Sequence, residues 1–175
     1  MNYPLSVPKR IMNKPSSPPK TKILFVCLGN ICRSPTAEAV FKVKIEQAGV
    51  ANRFAVDSAG LLSVHEGEPA DSRMRKHASA RGYTLESRSR PIKTSDFEEF
   101  DYIIGMDDPN LRDLKKRVPH ADTEAKLSLL LSYAPELKVS EVPDPYYGGA
   151  KGFEEVIDLV ETASDRLIQH LLHES

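Results

Sequence analysis

Cysteine is scarce in this 175-residue chain, which has only two, too few for the disulfide framework of a small secreted domain. Charge of one sign is lacking as well. The 24 basic and 25 acidic side chains leave a formal net charge of -1, which argues against a general nucleic-acid binder with a strongly basic stripe. Long apolar runs are missing too. Ile23 to Leu28 is typical of the longest, so no helix is expected to span a membrane. The five histidines and two cysteines make no Cys/His cluster, and no metal site is expected. What is there is an ordinary globular composition, 28% charged and 40% apolar. The length suits one domain with a real core.

Residues 1–20 lack acidic side chains altogether. They carry Lys9, Arg10, Lys14 and Lys20, and five of the 13 prolines. Such a stretch buries too little apolar surface to offset its ordering entropy, so it reads as a disordered basic tail ahead of a domain over 21–175. It has no apolar core of a secretory signal. A cytoplasmic protein is expected, with organelle import through the tail as the alternative.

From Thr21 onward, strand and helix patterns alternate. Ile23 to Cys27 is a continuous β-favouring run, the mark of a strand covered on both faces. Pro35 suits the first turn of a helix with Ser34 as its cap, and Ala37, Val40, Phe41 and Ile45 follow at helical spacing up to Gly49. Arg53 to Ala59 reads as a second strand, 70–81 as a polar helix closed by Gly82, and Asp101 to Met106 as a third strand. Pro109 opens a helix to about Arg117. Lys126 to Leu131 is a short fourth strand or a helical turn. Phe153, Val156, Ile157, Val160, Ala163, Leu167, Ile168 and Leu171 trace a long amphipathic final helix. This order predicts an α/β three-layer sandwich, a four-stranded parallel sheet with helices on both faces. In such sheets the functional crevice lies beyond the carboxyl ends of the strands, at a switch in strand order.

The first such loop is Cys27-Leu28-Gly29-Asn30-Ile31-Cys32-Arg33-Ser34. Five residues separate Cys27 from Arg33, the length of a tight loop that curls around one tetrahedral anion. Gly29 and Asn30 tolerate left-handed backbone. Successive amides can then point inward as an anion nest, reinforced by the positive end of the following helix. Arg33 supplies a planar fork of donors matched to phosphate oxygens. A thiol held in such a field gives up its proton readily, so Cys27 reads as a nucleophile beneath a bound phosphate. The motif is short. Its context carries the reading: a buried strand before it, Gly and Asn within it, a Pro-started helix after it.

The stretch Phe25-Val-Cys-Leu-Gly-Asn-Ile-Cys-Arg-Ser-Pro-Thr-Ala-Glu-Ala39 resembles the signature of the low-molecular-weight protein tyrosine phosphatases. Asp57-Ser-Ala-Gly60, Phe100 to Asp107, Asn110-Leu-Arg-Asp113 and Asp144-Pro-Tyr-Tyr147 extend the resemblance from about residue 22 to 172. The resemblance implies a phosphatase that hydrolyses phosphotyrosine in proteins, and small aryl phosphates, through a phosphocysteine. It implies a phosphate-binding loop after the first strand, no metal or other cofactor, and tyrosine-phosphorylated proteins as partners. A monomer is expected, with no nucleic-acid or membrane partner. By the same resemblance Asn30 and Ser58 brace the loop, and Ser34 hydrogen-bonds the leaving sulfur.

An aryl phosphate leaves as a phenoxide and needs a proton from outside the loop. Val142 to Gly149 is a candidate segment: Pro143 and Pro145 stiffen the backbone around Asp144, and Tyr146 and Tyr147 offer flat faces to an aromatic ring. The residues alone fit a Pro-rich turn equally well; the resemblance places the general acid at Asp144. Cys32 reads either as a small packing residue or as a thiol that captures oxidised Cys27 as a disulfide. Val64 and His65 stand where the family commonly places an aromatic residue and a following His, which makes one wall of the cleft aliphatic. His65 reads as a cleft residue or a solvated loop histidine. Ser87 stands for a loop-bracing His of some relatives.

Three rival functions share these features. An arsenate reductase of this fold needs further cysteines downstream, and none follows Cys32. Phosphoarginine phosphatases typically carry Thr where this chain has Ile31. A phosphate-binding module without turnover would not need Arg33 together with Asp144.

Overall fold

Residues 18–174 are described in a computed structural model of the chain. The tail reading falls mostly on residues 1–17, outside the described residues. Four strands form one all-parallel sheet in the order β2-β1-β3-β4, comprising β1 (Thr21–Cys27), β2 (Phe54–Gly60), β3 (Tyr102–Gly105) and β4 (Leu127–Leu129). Because β1 pairs with β2 on one side and β3 on the other, its carboxyl end is the switch point of the sheet.

The alternation of side chains along β1 divides the core in two. Ile23, Phe25 and Cys27 face one layer, built with α1 (Arg33–Gln47), α2 (Ser72–Ala80) and α5 (Ala150–His173). Leu24 and Val26 face the other, built with α3 (Asp96–Glu99) and α4 (Asp108–Arg117). This is the three-layer sandwich the pattern predicts. In the first layer Phe41 of α1 sits between Phe25 and Phe54, with centroids at 5.8 and 5.7 Å, so that α1 docks on the sheet through aromatic contacts. No helix among the described residues is long and apolar enough to cross a membrane.

Differences from the sequence reading are local. Helix α1 begins at Arg33, and its cap residue Cys32 makes no side-chain cap bond. Ser34 is therefore inside the first turn rather than capping it, because its hydroxyl is held by Cys27 and Asn30 instead. The polar helix starts at Ser72, with the Asp71 carboxylate capping it. The ambiguous 126–131 stretch holds both alternatives in succession: strand β4, then a single tight turn at Leu130–Tyr133. Near the end of α5, His170 meets Glu174 at 3.0 Å and the ring of Tyr133.

Candidate active site

The loop after β1 folds back on the sheet. Asn30 adopts φ 56°, the left-handed region that Asn tolerates better than most residues. The close approach depends on Gly60: a Cβ there would lie 3.0 Å from Asn30 Cβ and 3.1 Å from Leu28 O. Side chains then fix the curl. Asn30 Nδ2 donates to Ser34 Oγ at 2.7 Å and Ser58 Oγ at 3.0 Å, and the Arg90 N–H donates to Asn30 Oδ1. Ser58 in turn donates to the buried Glu38 carboxylate at 2.6 Å. Ser34 Oγ lies 3.0 Å from Cys27 Sγ. With Asn30 filling a lone pair of Ser34, the serine proton can point at the sulfur, its other acceptor being Ala59 O at 3.5 Å. Ser89, not Ser87, supplies the remaining brace, donating to Gly29 O at 3.0 Å. Ser87 lies instead along a separate groove beside Glu38 and Lys42. The first turn of α1 holds no acidic side chain and no side-chain cap, which leaves its amides for an anion.

Arg33 is 3% exposed. One terminal nitrogen donates to Asp107 Oδ2 at 2.5 Å and to Val142 O at 3.1 Å; the other lies 3.6 Å from Asp144 Oδ2. Burial works against its charge, yet Cys27, Asp107 and Asp144 outweigh it and hold the guanidinium above its ordinary pKa. Asp107 divides its two oxygens: Oδ2 takes Arg33, and Oδ1 accepts the Asn110 N–H to cap α4. The Asp144 side chain is 44% exposed at the mouth, its Oδ1 accepting the Tyr146 N–H at 3.1 Å. The Cys32 thiol is pushed up to about 12, chiefly by burial, then by the charges of Asp71, Cys27 and Asp144.

These groups line a cleft of about 250 Å³ walled by Leu28, Ile31, Cys32, Val64, His65, Tyr146 and Tyr147, with Cys27, Gly29 and Arg33 also lining it. Asn30 and Ser34 brace the loop from behind. All the site residues expected from sequence except Ser87 are thus brought to one place. His65 faces the cleft, paired with Glu68 at 2.8 Å. Four positions went unread: Leu62 on the rim, Asp107 behind Arg33, Glu38 behind Ser58, and Ser89. Asp107 carried a usable signal, since it follows β3, whose parallel pairing with β1 puts the two strand ends side by side.

A cysteine at the end of a central parallel strand, beneath a curled, side-chain-braced loop and beside a buried arginine on a helix N-terminus, defines a phosphate-site α/β protein of the cysteine-phosphatase class. Residues 22–175 match the family described as low molecular weight phosphotyrosine protein phosphatase. A putative low molecular weight protein-tyrosine-phosphatase of Synechocystis is 45% identical over 150 residues, covering 86% of this chain and 96% of that one. The crystal structure of a protein tyrosine phosphatase from Entamoeba histolytica superposes with a TM-score of 0.86 at 49% identity, covering 89% of this chain and 99% of that one. A Drosophila arginine phosphatase superposes with a TM-score of 0.81 at 33% identity, covering 86% and 98%. The chain belongs to the low molecular weight phosphotyrosine protein phosphatase family.

Proposed function

We propose that the protein hydrolyses phosphotyrosine in proteins, and small aryl phosphates, in two steps at Cys27. The observation that carries this is the convergence of Cys27, Arg33 and Asp144 on one cleft, with Arg33 3.6 Å from the Asp144 carboxylate. In the first step the Cys27 sulfur attacks phosphorus and the bond to the phenolic oxygen breaks. Arg33 and the amides of Leu28 to Ser34 hold the equatorial oxygens as charge spreads over them. Asp144 gives its proton to the departing phenoxide. In the second step Asp144, now a carboxylate, takes a proton from water as that water's oxygen attacks phosphorus. The sulfur leaves with the Ser34 hydroxyl donating to it, and phosphate is released. Arg33 and the helix amides supply the positive field, so no metal or cofactor takes part. The Tyr146 and Tyr147 faces suit an aromatic ring, and the apolar Ile31, where phosphoarginine phosphatases typically carry Thr, favours that ring over the polar guanidinium of a phosphoarginine.

The test is release of phosphate, with formation of the tyrosyl peptide, from a phosphotyrosyl peptide, with a phosphoarginyl peptide in parallel. The Asp144→Asn variant is expected to lower kcat/KM for the tyrosyl peptide on the order of 10²–10³-fold. Release from the arginyl peptide alone reverses the substrate assignment. A single copy carries every group the reaction uses, which supports a monomer as the working unit. Both cysteines are free thiols, which suits the reducing cytoplasm.

Cys32 is proposed as the thiol that protects Cys27. Peroxide converts the Cys27 thiol to a sulfenic acid and water; Cys32 then displaces the hydroxyl as a second water and closes a disulfide. The thiolate is the attacking form. With the Cys32 pKa at about 12, its thiolate fraction climbs throughout the range below that value. Disulfide closure is therefore expected to accelerate by about tenfold per pH unit between neutral and alkaline conditions. Cys32→Ser should leave peroxide-treated enzyme unrecoverable by thiol once oxidation continues past the sulfenic acid. Equal recovery in both proteins, followed by aryl phosphatase activity, removes the role.

A further inference from the structure

We propose that Arg73 is a positioning residue for the proposed general acid, holding the Asp144 loop against the phosphate loop. This rests on Asp144 being the proton donor. Arg73 lies on α2, outside the cleft lining. Its guanidinium pairs with Asp71 through two bonds, Nε to Oδ1 at 3.2 Å and a terminal nitrogen to Oδ2 at 3.0 Å. That same terminal nitrogen donates to Tyr146 O at 2.9 Å, two residues after Asp144. The guanidinium also sits over the Tyr146 ring at 5.4 Å and the Phe153 ring of α5 at 4.9 Å, so cation–π attraction reinforces the fork.

The other end of the tie is the cradle itself. Asp71 donates its backbone N–H to Ile31 O at 2.8 Å, and its carboxylate caps α2 through the Arg73 and Met74 N–H groups. Ile31, Asp71, Arg73 and Tyr146 thus form one continuous run from phosphate loop to acid loop. The acid needs such a run. Asp144 is followed by Pro145, and its Oδ1 accepts the N–H of Tyr146, so the position of the Tyr146 peptide sets that of the carboxyl group. Gly148 and Gly149, just beyond, give the segment little stiffness of its own. Asp71 is held below the usual carboxylate range; burial opposes this, but the bonds from Arg73 and the α2 amides outweigh it. The anchor of the tie is therefore charged at neutral pH.

A misplaced acid penalises only leaving groups that need a proton. The experiment compares kcat/KM for phenyl phosphate, whose phenoxide is strongly basic, with that for dinitrophenyl phosphate, whose phenoxide departs without help. Arg73→Gln is expected to lower the first on the order of tenfold and the second by less than about twofold. Arg73→Lys keeps the charge over Tyr146 but not the fork, and should show the same selectivity in milder form. Asp144→Asn, run alongside, should show it in full, and adding Arg73→Gln to Asp144→Asn should add nothing. Equal losses on both substrates, or no loss, for both Arg73 variants overturns the tie while Asp144→Asn still discriminates. If Asp144→Asn itself does not discriminate, the acid reading falls and the tie with it.

Discussion

Cys27→Ser is expected to lower kcat for aryl phosphates on the order of 10⁵-fold or more while leaving phosphate affinity within about tenfold. The two halves come from different parts of the cradle. The contact at the nucleophile is Ser34 Oγ at 3.0 Å, a hydroxyl that is a donor to sulfur and no base for an incoming serine. A serine hydroxyl at that place keeps its proton and cannot attack phosphorus. The anion donors are untouched by the change: the curl of the loop is held by the Asn30 side chain, bonded to Ser34 and Ser58, and by Ser89 on the Gly29 carbonyl, and Arg33 is held by Asp107 and Val142. Phosphate titration should therefore show near-normal binding in an inactive protein. Intact-mass analysis of rapidly quenched wild-type turnover should show one added phosphoryl group on Cys27, and none on the variant. Turnover retained by Cys27→Ser, or an adduct on another residue, overturns the two-step reading.

The line between what the residues disclosed and what they hid follows how far each interaction reaches along the chain. Strand β1 and helix α1 were legible because each writes its burial into a local period, and the Cys27–Arg33 spacing is itself local. Helix α3 was missed: four residues carry no period, and its fixed point is the buried Asp96 bonded to Arg90. The α1 cap was misread for a related reason. Ser before Pro favours a cap in isolation, but the Cys27 sulfur and the Asn30 amide claim the hydroxyl. Ser87 and Ser89 sit in the same polar stretch and face different neighbours, a distinction that rests on the backbone path, with Ser89 N bonded to Glu68 O. Asp107 and Glu38 are acids among 25 acidic residues. Only the sheet order and the docking of α1 single them out.

Arg33→Lys, by contrast with the nucleophile change, is expected to damage binding and chemistry together, lowering kcat/KM on the order of 10³-fold. Arg33 is 3% exposed and its guanidinium is oriented before substrate arrives: Asp107 Oδ2 and Val142 O anchor one terminal nitrogen, and the other is directed toward Asp144 at the mouth. That preorganisation lets two parallel N–H groups meet two phosphate oxygens whose charge grows in the transition state. A lysine ammonium reaching the same acids is a point donor. It satisfies Asp107 or the phosphate, not both. Asp107→Asn removes the charge and one of the two acceptors. The amide's single oxygen can take Arg33 or the Asn110 N–H that caps α4, not both, so the arginine is more weakly held, and the loss should be on the order of tenfold. Removing the arginine altogether, as Arg33→Met, strands the half-covered Asp107 carboxylate and should cost about 1–3 kcal/mol of folding stability, read as a lower midpoint in urea. Michaelis–Menten constants with an aryl phosphate and denaturation curves for the three variants check this ordering. Wild-type kcat/KM in Arg33→Lys would show that the fork is not what grips the phosphoryl group.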